Sequence, residues 1–567
     1  MRDADNGART RVVDRIVDYL DSAGVRHVFG VHGANVEDLY DAIHRSPGRM
    51  RGVIAKHEFS AGAMADGYHR ASDRLAVVAT TSGGGSLNLV PALGEAYASG
   101  VPVLALIGQP PTSLEGRGGF QDQSGLGGSL DGPALFSTVS RFCERVDKPD
   151  AIADLLPRAV RAALREGGPA VLLLPKDVQQ AAATAEPPDL DEDATEPEDF
   201  GERVWRVLEG ARRGGPTLIV AGSGVVRANA RAALARFARS LGAWVAVEPD
   251  AKDVFDNHHP SFVGVAGANG HPSVRHCLQR ASTVILAGTR FPQVARAGLE
   301  DALFGRTIVC FDRAPAYVAD ELPALQVGGD LRASLSRATE RLEGLPCARP
   351  ATPPHDGLHY LPHERSQGSR IALREVVETI AAAVPAEATV VSDAGNTGCG
   401  VLHFLPAPAR GRYLLALGMG GMGFSFGAGL GAAFATGERT YVLAGDGSFF
   451  MHGMEVHTAI EHDLPVTFVV FNNNSHAACK SREELFYDSG HTFNEFRSSD
   501  IGAGVSAMFP GLRATTVRGL EELRAFLAET GRTRAPCLVS VEMRRDEMPP
   551  YLPFVPAEPA TERTSPK

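Results

Sequence analysis

Two polar sequences in the last third of the chain each follow an apolar run and carry oxygen ligands. The first is Gly-Asp-Gly-Ser at 445–448, and the second is Asn-Asn-Asn at 472–474. Parallel strands joined by a crossover helix bring their carboxyl ends to one edge of a sheet, where open α/β sheets bind ligands. The Asp446 carboxylate and the Asn473 amide oxygen are hard ligands that suit Mg²⁺ holding a diphosphate. The glycines beside Asp446 would let the backbone approach the phosphates.

The composition is that of an ordinary globular protein with about three domains. The 567 residues are 44% hydrophobic and 22% charged, as is usual for globular proteins. The net charge of −11 argues against a nucleic-acid partner. We expect no membrane span, since no apolar run approaches the roughly 20 residues required, and no secretory signal at the N-terminus. The seven scattered cysteines include no CxxC pair, which predicts reduced thiols and a cytoplasmic location.

Apolar strand-like runs alternate with helix-like segments through most of the chain. This alternation predicts an α/β protein with three doubly wound parallel-sheet domains, each covered by helices on both faces. An acidic, proline-bearing segment at 183–200 and a segment rich in proline and histidine at 347–368 interrupt the alternation, and both are predicted linkers. The predicted domains and tail are 9–181, 200–345, 369–548 and 549–567.

The two polar sequences resemble a known cofactor motif. Asp446 precedes Asn473 by 27 residues, with a helix-like segment and an apolar run between them. This spacing and context resemble the thiamine-diphosphate motif of the superfamily that contains acetolactate synthase, pyruvate decarboxylase and benzaldehyde lyase. A Gly-Asp-Gly turn alone would be weak evidence, because such turns are common after strands. The resemblance covers nearly the whole chain and implies a pyrimidine-binding, a middle and a diphosphate-binding domain.

The resemblance implies that the third domain holds the diphosphate end of thiamine diphosphate. The implied Mg²⁺ ligands are Asp446, Asn473 and the backbone carbonyl of Ser475. Met422 matches the bulky residue that supports the bent cofactor, and Gly420 is expected to offer its carbonyl to the 4′-amino group. The remaining implied cofactor contacts are Asn396, Thr397, Gly445, Gly447 and Ser448.

The first domain resembles the pyrimidine-binding domain of the same superfamily. Glu58, followed by Ala-Asp-Gly-Tyr at 65–68, matches the glutamate that pairs with the pyrimidine ring. Its carboxyl would favour the imino tautomer that takes the C2 proton and so generates the reactive ylid. Taken alone, Glu58 would be read as a residue favoured at a helix N-terminus, but the diphosphate motif favours the cofactor role. The glycine-rich sequence at 81–85 occupies the place of the family's TSGPG loop.

Candidates for the substrate pocket come from both end domains. His32 begins a His-Gly-Ala loop that resembles benzaldehyde lyase, where such a loop puts a histidine into the active site, and it departs from the proline-glycine of acetolactate synthases. A neutral imidazole can shuttle protons at pH 7, although a structural role for His32 stays open. Gln109 and Gln121 match the Gly-Gln and Phe-Gln sequences of acetolactate synthase. His476 follows the metal loop and is a further candidate.

The resemblance implies a carboligase or lyase that forms or breaks a carbon–carbon bond next to a carbonyl. A 2-oxo acid or acyloin would be the acyl donor, and an aldehyde or ketone the acceptor. The alternatives are a non-ligating 2-oxo-acid decarboxylase, a flavin-linked oxidase and a binding subunit without catalysis. The His32 loop and Gln121 favour ligation. Because the superfamily forms its site between two chains, a homodimer or homotetramer is implied.

The middle domain raises the question of a second cofactor, because it binds FAD in acetolactate synthase and nothing in many relatives. The sequence Gly-Ser-Gly at 222–224 follows an apolar run, but the third glycine of the dinucleotide fingerprint is missing. The sequence therefore favours a middle domain without FAD.

Overall fold

A computed structural model of the protein describes residues 10–188, 200–346, 353, 356–366, 371–487 and 493–554. Within these residues the chain forms three parallel sheets, each of six strands. The predicted fold class, an α/β protein with three parallel-sheet domains, is confirmed. None of the helices in these ranges combines the length and apolarity that spanning a bilayer requires.

The first domain has strands in the order β2-β1-β3-β4-β6-β5. Its strands are β1 (His27–Val31), β2 (Arg51–Ile54), β3 (Ala76–Thr80), β4 (Val103–Gln109), β5 (Phe142–Arg145) and β6 (Pro169–Pro175). Its helices are α1 (Val12–Ser22), α2 (Glu37–Arg45), α3 (Glu58–Ser72), α4 (Gly84–Ser99), α5 (Gly132–Ser137), α6 (Ile152–Ala162) and α7 (Lys176–Gln180).

The middle domain has the strand order β12-β11-β10-β7-β8-β9, which is the doubly wound order of dinucleotide-binding folds. Its strands are β7 (Thr217–Ala221), β8 (Trp244–Val247), β9 (Phe262–Val265), β10 (Thr283–Ala287), β11 (Thr307–Phe311) and β12 (Ala324–Val327). Its helices are α8 (Glu202–Gly214), α9 (Gly224–Arg227), α10 (Arg231–Leu241), α11 (Pro272–Arg280), α12 (Gln293–Arg296) and α13 (Leu331–Glu343).

The third domain repeats the strand order of the first, as β14-β13-β15-β16-β18-β17. Its strands are β13 (Thr389–Ser392), β14 (Arg412–Leu415), β15 (Thr440–Gly445), β16 (Val466–Asn472), β17 (Arg513–Val517) and β18 (Cys537–Glu542). Its helices are α14 (Leu373–Ala383), α15 (Gly395–Phe404), α16 (Phe424–Thr436), α17 (Asp446–His452), α18 (Val456–Glu461), α19 (Ala477–Phe486), α20 (Ile501–Met508) and α21 (Leu520–Thr530).

The apolar runs of the sequence form the central strands. Strands β3, β4 and β16 are buried along their whole length, as expected for parallel strands covered by helices on both faces. The predicted limits of the domains stay predictions, and residues 9, 369 and 370 lie outside the described residues. The predicted tail is described only as far as residue 554. Within it, the backbone N–H of Leu552 donates to the carbonyl of Ala268 in the middle domain.

Helices α3 and α16 join the first and third domains through a close backbone contact. A Cβ atom on Gly67 would lie 2.1 Å from the carbonyl oxygen of Ala428, and one on Gly431 would lie 1.9 Å from that of Met64. The contact therefore requires glycine, because any side chain would push the helices apart. It holds the N-terminus of α3, where Glu58 lies, and the loop before α16 in one rigid arrangement.

Candidate functional site

A cavity opens where β13, β15 and β16 end at one edge of the third sheet. These strands are neighbours in the sheet, so their following loops meet, as the sequence predicts. The cavity brings together the predicted cofactor-binding residues of the third domain, with the exception of Gly420. Its lining includes Asn396, Thr397, Met422, Gly445, Asp446, Gly447, Ser448, Asn473, Ser475 and His476.

Two side-chain oxygens converge at the backbone N–H of Ser475. This N–H lies 3.1 Å from Oδ2 of Asp446 and 3.1 Å from Oδ1 of Asn473. The Asp446 carboxyl is buried, and burial raises its pKa to about 6. Backbone N–H groups, including those of Gly447 and Ser475, lower the pKa but do not outweigh burial. A cation between these oxygens would stabilise the charge that burial penalises. The donor set of carboxylate, amide and carbonyl oxygens fits Mg²⁺.

The three consecutive asparagines shape this loop, each with a separate contact. The Asn472 side chain donates to the carbonyl of Ser499 at 2.9 Å, and Oδ1 of Asn474 accepts from the backbone N–H of Ser499 at 2.9 Å. Asn474 has a left-handed backbone, with φ of 52°, a conformation that asparagine tolerates better than most residues. The outer asparagines thus fix the turn that directs Asn473 into the cavity.

The cavity also suits an anion, because two helices begin at it. Helix α15 begins at Gly395 and α19 follows His476. The free N–H groups and the dipole of a helix N-terminus favour bound phosphate. Within the described residues, Oδ1 of Asn396 is a buried oxygen without a hydrogen-bond partner. These features fit the Mg²⁺-diphosphate part of thiamine diphosphate.

Met422 and His476 close around Gly447. A Cβ atom at position 447 would lie 2.6 Å from Cδ2 of His476 and 3.1 Å from Cε of Met422, so glycine gives both side chains their place at the cavity. The ring of His476 also packs edge-on against Phe496, with centroids 4.7 Å apart. Gly420 lies outside the cavity lining and has a φ of 66°, in the left-handed region that favours glycine.

The sequence analysis missed Asp393, a buried carboxylate that organises the third-domain loops. Its oxygens accept from the backbone N–H of Gly423 at 3.0 Å and of Ser425 at 3.0 Å. They also accept from the hydroxyl groups of Ser425 at 2.6 Å and of Ser448 at 2.7 Å. The hydroxyl proton of Ser448 is therefore engaged within the protein, and a diphosphate contact from this residue would use its backbone N–H.

Glu58 occupies the first position of α3 and is buried. Its Oε2 accepts from the side-chain amide of Asn88 on α4 at 3.0 Å, a partner that the sequence analysis did not identify. A Cβ atom on Gly85 would lie 3.0 Å from Oε1 of Glu58, so the glycine-rich loop leaves space for the carboxylate. His57 caps the helix by accepting the N–H of Phe59 at Nδ1. Glu58 is not among the described residues that line the cavity in the third domain.

The pocket candidates of the first domain fall into two groups. Gln109 is buried and donates from Nε2 to Oε1 of Gln123 at 3.4 Å, and Oε1 of Gln121 lies 3.5 Å from Nδ2 of Asn35. These amides lie beside the glycine-rich loop, because a Cβ on Gly83 would lie 2.6 Å from Cγ of Gln121. The other group is His32 alone, which is exposed on the first domain and packs against Tyr40 with ring centroids 5.1 Å apart.

The glycines of the middle domain are explained by contacts within the protein. A Cβ atom on Gly222 would lie 2.2 Å from Oε2 of Glu248, and one on Gly224 would lie 2.6 Å from the carbonyl oxygen of Gly288. Burial, followed by the charge of Asp250, raises the pKa of Glu248 to about 8. The Gly-Ser-Gly sequence thus has a packing role that requires no nucleotide, although FAD binding itself stays untested.

The histidine, cysteine and acidic side chains of the described residues include no group of three or more placed to hold a metal ion. The Asp446 site differs from such clusters, because it offers one carboxylate together with amide and backbone oxygens. This is the mixed oxygen environment typical of Mg²⁺ bound beside a phosphate.

Comparison with known families gives matches in all three domains. Sequence profiles described as "Thiamine pyrophosphate enzyme" match residues 10–126 as the N-terminal TPP binding domain, 202–338 as the central domain and 393–541 as the C-terminal TPP binding domain. The match therefore covers more than half of the chain.

Individual proteins are similar to this chain over most of their length. The sulfoacetaldehyde acetyltransferase of Rhodobacter capsulatus is 29% identical over an alignment of 604 residues including gaps. The alignment covers 99% of this chain and 100% of the relative. The acetolactate synthase isozyme 3 large subunit of Escherichia coli is 27% identical over 501 residues, which cover 86% of each chain. An X-ray structure from Mycobacterium smegmatis, of a protein assigned as a thiamin diphosphate-dependent enzyme, aligns with a TM-score of 0.78 at 22% identity, over 94% of this chain and 100% of the other.

Proposed function

This chain belongs to the thiamine pyrophosphate enzymes, in their acetolactate synthase-like group, and we propose that it is a thiamine-diphosphate-dependent carboligase or lyase. It would form or break a carbon–carbon bond next to a carbonyl, with a 2-oxo acid or acyloin as the acyl donor. The observation that supports this proposal most is the convergence of Asp446 and Asn473 on the N–H of Ser475, beside two helix N-termini.

Each part of the site would contribute one function. Asp446, Asn473 and the carbonyl of Ser475 would hold Mg²⁺, and the N-terminus of α15 would bind the diphosphate. When bound, thiamine diphosphate supplies a carbanion-stabilising centre that side chains lack. Glu58 would exchange a proton with the pyrimidine ring, and Met422 would support the cofactor from below.

The relatives support acyl transfer over plain decarboxylation. Two of them, an acetolactate synthase and a sulfoacetaldehyde acetyltransferase, are named for a synthesis and a group transfer. Within the described residues, the buried Nε2 of Gln123 has no hydrogen-bond partner, and it could donate a hydrogen bond to an oxygen of a substrate. A small 2-oxo acid with a second carbonyl compound as acceptor is therefore the substrate class that we propose.

A product screen tests this proposal directly. The purified protein with Mg²⁺ and thiamine diphosphate is given 2-oxo acids, with and without aldehyde or ketone acceptors, and products are identified by mass spectrometry. We expect a product whose mass equals donor minus carbon dioxide plus acceptor. Formation of the aldehyde alone, at a rate that no acceptor changes, would instead identify a non-ligating decarboxylase.

We further propose that the protein is a homodimer or homotetramer with its sites between chains. Glu58 is not among the described residues that line the cavity containing Asp446, and a second copy would complete the site by bringing its own Glu58 to the cofactor. Large apolar side chains are exposed near both halves, with Phe120 83%, Met419 64% and Phe450 53% exposed. Such side chains are typical of surfaces that a partner covers. The cytoplasmic location stays a prediction.

Mixing two inactive variants distinguishes a shared site from one built within a single chain. The variants are Glu58→Gln and Asp446→Asn, produced together in one cell so that the chains assemble at random. If the site lies between chains, about a quarter of the wild-type activity should return, because half of the dimers are mixed and one of the two sites in each is intact. If each chain builds its own site, the mixture will stay as inactive as the separate variants.

A further inference from the structure

One carboxylate of the first domain holds the loop that precedes α16 in the third domain. Glu95 lies on α4 and is 2% exposed. Its Oε1 accepts from the backbone N–H of Gly418 at 3.0 Å. Its Oε2 accepts from the N–H of Met419 at 2.6 Å and of Gly420 at 3.3 Å. Three consecutive N–H groups therefore point at one side chain from another domain.

The charge of Glu95 is matched by partly buried groups of the first domain. Arg70 on α3 lies 3.4 Å from Oε1 of Glu95 and forms an ion pair with Asp66 at 2.5 Å. Ser99 donates its hydroxyl to Oε1 of Glu95 at 2.7 Å. Burial alone would raise the pKa of Glu95, but Arg70 and the N–H groups of the loop outweigh it and hold the pKa below its ordinary value. The residue is thus a charged acceptor with fixed geometry.

The other end of the same loop is held by Asp393, through the N–H groups of Gly423 and Ser425. Two carboxylates from different domains therefore bracket the loop. Between them lie Gly421 and Met422, and Met422 is the residue that reaches the cavity beside Asp446. The positive φ of Gly420 shows that the path of the loop depends on these contacts and on glycine.

We infer that Glu95 is a positioning residue for thiamine diphosphate. By binding the N–H groups of residues 418–420 it orients the three peptide planes that lead up to the Gly420 carbonyl and to Met422. This inference rests on the proposed function, because it assumes that the cavity binds the cofactor. Only a carboxylate satisfies the three N–H groups, since it has two acceptor oxygens and no N–H group of its own.

The first test replaces Glu95 by glutamine. Glu95→Gln keeps the size of the side chain but presents an NH₂ group to the loop. We expect the dissociation constant of thiamine diphosphate, measured by titration calorimetry with Mg²⁺, to rise about 10-fold or more. We also expect a weaker circular dichroism band of the bound imino tautomer. As the matched control, Ser99→Ala removes a hydrogen bond to the same carboxylate and leaves the three hydrogen bonds to the loop in place, so it should bind the cofactor as the wild type does.

A second pair of variants tests the loop itself and leaves the buried charges intact. Met419→Pro lacks the N–H that donates the shortest of the three hydrogen bonds, whereas Met419→Ala keeps it. Met419 is exposed, and its φ is not in the positive region that the proline ring excludes. We expect weaker cofactor binding for Met419→Pro than for Met419→Ala, because the two variants lack the same side chain and only the alanine variant keeps the N–H that donates to Glu95. This pair remains informative if Glu95→Gln does not fold.

The outcomes separate the inference from the proposed function. Wild-type affinity and an unchanged dichroism band in both Glu95→Gln and Met419→Pro would overturn the positioning role. If Ser99→Ala lost as much cofactor affinity as Glu95→Gln, Glu95 would be a general structural residue, and the positioning role would again be overturned. Absence of thiamine diphosphate binding in the wild type would instead refute the proposed function.

Discussion

Replacing Asp446 by asparagine is expected to weaken the binding of thiamine diphosphate by at least roughly 100-fold, since changes even to outer-shell partners of a metal site cost about 10–100-fold in affinity. The carboxylate is the single charged oxygen donor in the predicted Mg²⁺ set, and the amide of asparagine cannot replace its charge. Titration calorimetry with Mg²⁺ and thiamine diphosphate measures the effect, and turnover at limiting cofactor should fall in parallel.

The same substitution should remove a pH dependence from the stability of the cofactor-free protein. Burial raises the pKa of Asp446 to about 6 in the folded protein, whereas its pKa in the unfolded chain is about 4. Ionisation of this carboxyl therefore lowers the free energy of unfolding as the pH rises above about 4, and the full loss is present above about pH 6. Asparagine removes this loss. Cys479→Ser is the matched control, because Cys479 lines the same cavity and should not affect binding. Wild-type cofactor affinity in Asp446→Asn would show that the carboxylate is not a ligand.

Replacing Glu58 by glutamine should lower kcat by about 10²–10⁴-fold, the range typical of general acid–base groups. Glutamine fills the same space beside Gly85 and can still accept the hydrogen bond from Asn88. It cannot exchange a proton with the pyrimidine ring. The cofactor should therefore still bind, while exchange of its C2 proton with solvent, followed by NMR, should slow together with turnover.

The control for this variant is Asn88→Ala, which removes the neighbour of Glu58 and keeps the carboxyl group. Its kcat should fall less than that of Glu58→Gln, because only one hydrogen bond to the carboxyl is lost and the acid–base group itself is kept. If Glu58→Gln turned over like the wild type, the role of Glu58 in proton exchange would be refuted.

The central parts of each sheet were predictable from the sequence because their strands are continuous apolar runs. The runs at 76–80 and 466–471 are buried strands of the first and third sheets. Three of the edge strands were not predicted, for the opposite reason. Strands β5, β12 and β17 are short and partly exposed, so their sequences lack the apolar continuity by which the central strands are recognised.

The residues of the site also divide into those that the sequence pattern could predict and those that it could not. Asp446 and Asn473 follow strand ends, so the rule that parallel strands present their loops at one edge identified them. Asp393 also follows a strand, and that rule could have identified it. Glu95 could not be assigned, because its partners lie 323 to 325 residues away and only the packing of α3 on α16 brings them together. The one available clue was a lone acidic residue in the apolar sequence of α4.

The strand order of the sheets carries a consequence for the origin of the chain. The first and third domains share one order, and the middle domain has another. Helices α3 and α16, which pack against each other, each follow the second strand of their sheet. They therefore hold equivalent positions, with Glu58 at the start of one helix and Met422 just before the other. This relation is expected if one ancestral domain was duplicated and each copy came to bind one end of the same ligand. The middle domain would then have been inserted from a separate source.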